Sequence, residues 1–151
     1  MSYITGILPS RVDTSQEWAL GTIGQTSDGK LYKYMQWEDA SAATSAVASE
    51  VAYYYLLDGY KTNIVTSDLS DSVEIGAGVI QAVMTDGQFG WFQIRGAATL
   101  SIALTAGADG DPLTPTGSAD GTLDVSAAVT DNVCAIAGDI SDQEIVCCFP
   151  L

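Results

Sequence analysis

The side chains of this chain best suited to chemistry are its acids. Asp109 and Asp111 flank Gly110 just before Pro112, and Asp120 and Asp124 follow in the same Gly-rich stretch. Several oxygens at close range are what a hard cation such as calcium takes. The spacing is not that of an EF-hand, and Gly/Asp composition is also that of an ordinary turn. Two carboxylates astride a sugar would be glycosidase chemistry, but no motif singles out a pair among the 19 acids. The chain has no His, which removes Ser-His-Asp and Cys-His catalysis and His-ligated zinc. No Gly-rich loop ends in Lys-Ser/Thr, so phosphate cradling is not signalled. The cysteine spacing does not match a zinc site either. The sequence therefore assigns no catalytic, cofactor-binding or metal-binding residue.

The three cysteines are Cys134, Cys147 and Cys148. The last two are adjacent, so in a strand they point to opposite faces. An odd count argues against a full disulfide framework. One Cys134–Cys147 or Cys134–Cys148 bridge and a set of free thiols both remain open.

Aromatic residues are the other candidates. Tyr53, Tyr54 and Tyr55 run consecutively, so a strand there carries a ring on each face, and at least one face needs burial. Trp18, Trp37 and Trp91 could be core, subunit-interface anchors or a sugar platform. Arg95 ends a strand among many carboxylates, where a paired structural Arg is expected. Trp18, Trp37, Tyr54, Trp91 and Arg95 are taken as candidate partner contacts.

Charge narrows the partners. Of 24 charged residues 19 are acidic, giving a net charge of −14. The imbalance is graded: residues 101–151 hold eight acids and no base, and Arg95 is the last cation. Nothing here can build the basic face that neutralises phosphates, so no nucleic acid is expected. An anionic membrane surface is disfavoured likewise. A basic protein surface suits this charge, and so does simple solubility. The N-terminus lacks a basic start and a long apolar core, so no signal peptide is read. No run approaches the roughly 18 apolar residues of a membrane helix. Synthesis in a cytoplasm is expected.

Hydrophobic residues make up 47% of the 151 positions, enough for one ordinary core. Strand signals dominate. Leu20–Gln25 and Leu31–Trp37 flank Asp28-Gly29, a hairpin signature. In the second, Leu31, Lys33, Met35 and Trp37 share a face. Residues 39–50, almost all Ala, Ser and Thr, lack an apolar stripe and read as loop rather than a helix begun by Asp39. Val51–Leu57 reads as strand, Asp58-Gly59 as its turn, and Tyr60–Thr66 as the returning strand. Ser67–Ser72 is polar loop. Val79–Thr85 and Trp91–Arg95 form a hairpin turned by Asp86-Gly87, with Phe92 and Ile94 on one face and Trp91, Gln93 and Arg95 on the other. Ala98–Thr105 reads as a further strand, and residues 106–124 as loop with short extended pieces. Asn132–Ala137 and Glu144–Phe149 are the last two strands, around a turn at 138–142. The fold class expected is all-β: a single small barrel or sandwich of short antiparallel strands, with an N-terminal arm. Residues 1–18 are the arm or lead-in, and residues 19–151 the β domain.

The phrase GQFGWFQIRG (residues 87–96) resembles the hairpin of small virion proteins of tailed bacteriophages that decorate or cement the capsid. The later order of features is similar too: TLSIAL, a Gly/Asp loop with DPLT, a DGTL turn, then Cys-Ala-Ile-Ala-Gly ahead of EIVCCF. The likeness spans residues 75–151. It implies a non-enzymatic protein on the capsid exterior, made in the host bacterium's cytoplasm. Its partner would be the major capsid protein, and it would commonly act as a homotrimer clamping neighbouring capsomers. A ligand that binds only the expanded shell stabilises it by mass action. In a trimer an N-terminal arm could add a strand to a neighbour, with Ile4, Ile7 and Leu8 as anchors. Alternatively, residues 1–18 fold back on their own barrel. Two other classes stay open: a tail or fibre adhesin with Trp and Tyr in a glycan groove, and an enzyme with an acidic pair in a pocket.

Overall fold

The computed structural model describes residues 2–41 and 44–151. Twelve strands form in the order β1 (Tyr3–Thr5), β2 (Val12–Asp13), β3 (Ile23–Gln25), β4 (Leu31–Trp37), β5 (Val51–Tyr55), β6 (Ile64–Thr66), β7 (Ser72–Ile80), β8 (Phe89–Thr99), β9 (Pro112–Thr114), β10 (Asp124–Val125), β11 (Ala135–Asp139) and β12 (Glu144–Cys148). Among the described residues one short helix, α1 (Leu56–Thr62), lies between β5 and β6, and a 3₁₀ turn covers Leu69–Asp71. The fold is all-β: a closed five-stranded barrel with outer strands laid against it.

The barrel closes through β4, β8, β7, β5 and β6. Four of its seams are antiparallel, and the fifth, between β4 and β6, is parallel with Gln36 opposite Ile64. Closure removes free edges from the central strands. Strand β8 serves two sheets because it is 11 residues long. Its first half pairs with β4 and β7, and residues 95–99 pair with β12. Gly96 sits between the halves at φ 98°, a left-handed conformation that glycine adopts without Cβ strain. Beyond β12 the sheet continues through β11 and β9 to β10.

Successive side chains of the central strands enter different cores, which is why these strands read as nearly unbroken apolar runs. On β5, Val51 and Tyr53 join one cluster with Ile94, Leu113, Ile145 and Phe149. Ala52 and Tyr54 join another with Met35, Trp37, Val65 and Phe92. Tyr32, Tyr34 and Trp91 form a third, packed under Ile4, Ile7, Trp18 and Leu20. Phe92 and Ile94, placed on one face by alternation, are thereby divided between two cores.

The two hairpins with short turns form as read. Strands β3 and β4 are antiparallel, with Ile23 opposite Lys33. The turn between them closes by a hydrogen bond from Gly29 N to the Thr26 carbonyl at 3.0 Å. Strands β11 and β12 pair antiparallel around Ile140–Gln143.

Three expectations are corrected. Residues 56–62 are a helix, so β5 stops at Tyr55 and only Ile64–Thr66 of the returning strand forms, antiparallel to β5: Leu56 at φ 45° swings the chain off β5. Asn63 then stops the helix at φ 57°, its N–H on the Gly59 carbonyl, a left-handed stop that Asn tolerates. Gly59 supplies close packing rather than a turn, since a Cβ there would lie 2.7 Å from the Ile64 carbonyl oxygen. Second, Ala98–Thr105 is not a separate strand. Residues 98 and 99 end β8, and Leu100 and Leu104 then pack into the first core. Third, β7 ends at Ile80, and Met84 keeps only an isolated bridge to Ala46. Residues 39–41 and 44–50 are loop apart from that bridge, and Ala42 and Ala43 lie outside the described residues.

Candidate functional site

Of the two arrangements open for residues 1–18, the structure has residues 2–18 folded back on their own barrel. Strand β1 runs parallel to β3, with Tyr3 opposite Ile23. Strand β2 pairs with β8, with Val12 opposite Gly90. Asp13 fastens the segment: its carboxylate accepts from Arg11 Nε at 2.7 Å and from Tyr34 OH at 2.8 Å. The Arg11 guanidinium lies 4.8 Å over the Trp18 ring, a cation–π contact. Trp18 in turn meets Tyr34 edge-on, with ring centroids 5.2 Å apart. Ile4 and Ile7 pack against the third core, and Leu8 is exposed.

The aromatic partner-contact candidates are largely used up in packing. Trp37, Tyr54 and Trp91 are 1% exposed or less. They are corrected from partner contacts to core residues, because burial inside their own chain leaves no surface for another protein. Trp18 is half-buried against Tyr34 and Trp91. Arg95 meets backbone, not a carboxylate: its Nη1 donates to the carbonyls of Ile94 and Phe149 and so ties the C-terminal segment to β8. The fold brings Trp18 and Trp91 together in the third core, and none of these residues together as a surface site.

A cavity beside β4 and α1 collects polar groups. It has a volume of about 400 Å³ and is lined by Leu20, Gly21, Lys33, Tyr60 and Asn63 among others. Lys33 is buried with its Nζ donating to Tyr54 OH at 2.8 Å. Burial pushes its ammonium down to about 8. The Tyr54 hydroxyl is pushed up by burial and stays protonated. An amine of reduced charge beside a phenol is a base or nucleophile only where a proton acceptor or an electrophile can reach it. Here the pair closes the second core, with the ammonium 5.3 Å over the Tyr54 ring.

The acids of the Asp loop accept from backbone amides, two within the loop and two in neighbouring turns. Asp109 Oδ1 accepts from Ile140 N at 3.0 Å, and Asp111 Oδ2 from Ala108 N at 2.8 Å. Asp120 Oδ1 accepts from Leu69 N, and Asp124 Oδ1 from Val125 N. Among the described residues, no group of three or more metal-ligating side chains converges. The three cysteines are free thiols: Cys134 and Cys147 are buried, and Cys148 is exposed. Burial raises the Cys147 thiol to about 12 and raises Cys134 as well.

The feature missed by sequence reading is a surface. Register aligns Ala97 on β8 with Val146 on β12, Val146 with Ile136 on β11, and Ile136 with Pro112 on β9. All four are exposed. They make an outward apolar row across four strands, and the inward neighbours Ala135, Ile145 and Cys147 fill the first core. The signal is the alternation in Glu144-Ile145-Val146-Cys147-Cys148, whose outward members include no aromatic residue.

No protein-family model, curated protein or solved structure matches this chain.

Proposed function

We propose that this chain is a non-enzymatic structural protein of a tailed-phage virion. It binds the outer surface of the capsid and cements neighbouring capsomers as a homotrimer, after synthesis in the bacterial cytoplasm. The observation that carries the proposal is the anionic surface. Arg11 is engaged by Asp13, Lys30 lies within 3.9 Å of Asp28, Lys33 is buried, and Arg95 is held by carbonyls. Lys61, near the end of α1, is left as an exposed cation against 19 acids. A rigid β scaffold with this surface suits a basic protein partner, and the stretch that resembles decoration proteins builds β7 through β12. Glycan binding needs a platform of exposed rings, and of the tryptophans considered for one, Trp37 and Trp91 are in the core and Trp18 is half-buried.

The test is co-sedimentation with expanded heads that lack the protein, across a salt series. Saturable binding at a fixed ratio to capsid protein, weakened by salt, with heads then surviving higher temperature, is the expected result. No binding to any head form would overturn the proposal.

A further inference from the structure

We infer that the outward face of the C-terminal sheet, centred on Val146 and Ile136, docks onto an apolar protein patch ringed by Lys and Arg. The inference rests on the cementing proposal and names its contact. Val146 is 49% exposed and Ile136 37% exposed. With Ala97 and Pro112 they form one continuous rung across β8, β12, β11 and β9. Strand alternation puts Glu144 and Cys148 on this same side of β12.

Charge selects the occupant. The strands and loops after Arg95 contribute eight acids and no base. Arg95, opposite Cys148 at one end of the face, has its guanidinium occupied by the Phe149 and Ile94 carbonyls. Glu144 stands on this face beside Val146, and a second copy would set two chains of net charge −14 against each other, where like charges across an interface are costly. A phosphate backbone or an anionic bilayer meets the same repulsion. A basic-rimmed apolar patch satisfies both the row and its surroundings.

The docking uses the face of the sheet, not its edge. Beyond β11 the sheet narrows to β9 and β10, of three and two residues, and Pro112 starts β9. Short strands and proline blunt an edge against strand addition. The face carries no such defence.

The experiment compares Val146→Glu, Ile136→Glu and Val129→Glu with the wild type on expanded heads. Val129 is a fully exposed loop residue and serves as the control. Melting checks that each variant folds, and Ile136→Glu, on the neighbouring strand, stands in if Val146→Glu does not. Expected is a loss of head affinity of about tenfold or more for the two face variants, the scale of an interface anchor, with the control unchanged. Full affinity in both face variants would overturn the face assignment while leaving cementing intact. Failure of the wild type to bind would overturn cementing and this inference together. If the face variants instead break up a self-associated form while binding heads normally, the occupant is a second copy and the partner assignment is wrong.

Discussion

Replacing Lys33 with Met isolates the cost of burying a charge inside a β barrel. In the folded chain Lys33 is 6% exposed, its Nζ contacts Tyr54 OH, and burial lowers its ammonium from 10.5 to about 8. The unfolded lysine keeps its proton until about 10.5, whereas the folded one releases it from about 8. Between these values the unfolded state binds more protons, so the Lys33 contribution to stability rises with pH. The depression of about 2.5 units corresponds to ~3 kcal/mol at full development, of which ~2 kcal/mol is gained between pH 7 and pH 9.5. The side chain lines a cavity that reaches solvent, and screening trims that gain to ~1–2 kcal/mol. The Met variant lacks it. It also leaves the Tyr54 hydroxyl short of one partner, a pH-independent loss of ~1 kcal/mol. The assay is urea unfolding of both proteins at pH 7, 8 and 9.5. The stability of the wild type minus that of Lys33→Met should climb by ~1–2 kcal/mol across the series, with equal m values. The titration of Tyr54 is common to both and cancels in the difference. A flat difference would refute the claim that burial lowers the Lys33 ammonium.

Two further outcomes follow from buried groups. Tyr53 OH accepts from Thr122 N at 3.0 Å and donates to carbonyls of the same loop, Ala119 at 3.1 Å among them, fastening residues 119–122 to β5. Tyr53→Phe should cost ~1–3 kcal/mol, read as a lowered denaturant midpoint at unchanged slope, because a buried amide loses its partner; an unshifted midpoint would contradict the clamp. Thiol labelling of the native protein should modify Cys148 quickly and reach Cys134 and Cys147 only in denaturant, since burial keeps those two protonated. Rapid labelling of more than one thiol in the native state would contradict the packing of β12.

Local chemistry made part of this fold legible. Asp28-Gly29 set the β3–β4 hairpin, and the turn read at 138–142 set β11–β12, because a turn between adjacent strands is decided by the residues within it. The same rule misread Asp58-Gly59. Glycine stands there because the helix passes close to the Ile64 carbonyl, a constraint set by residues brought near only in the folded chain. Barrel closure was out of reach for a related reason. The parallel β4–β6 seam joins Gln36 to Ile64 across β5 and α1, and no turn between neighbours announces a non-local parallel pairing.

The candidate site was legible as charge and illegible as position. Eight acids after Arg95 could be counted, but which atoms they would surround depended on the fold. Large aromatics looked like the natural anchors, and in a barrel whose strands are buried on both faces such rings are the first to be consumed by the core. The exposed apolar row across four strands is made of Val146, Ile136, Ala97 and Pro112, each unremarkable alone and aligned only by register. Residues 2–18 carry the same lesson in reverse. They could reach a neighbour only by giving up the three β1–β3 pairs, the packing of Ile4 and Ile7, and the Asp13 contacts to Arg11 and Tyr34. Those contacts hold the segment in its own chain, and the proposed docking therefore rests on the C-terminal sheet rather than on an arm.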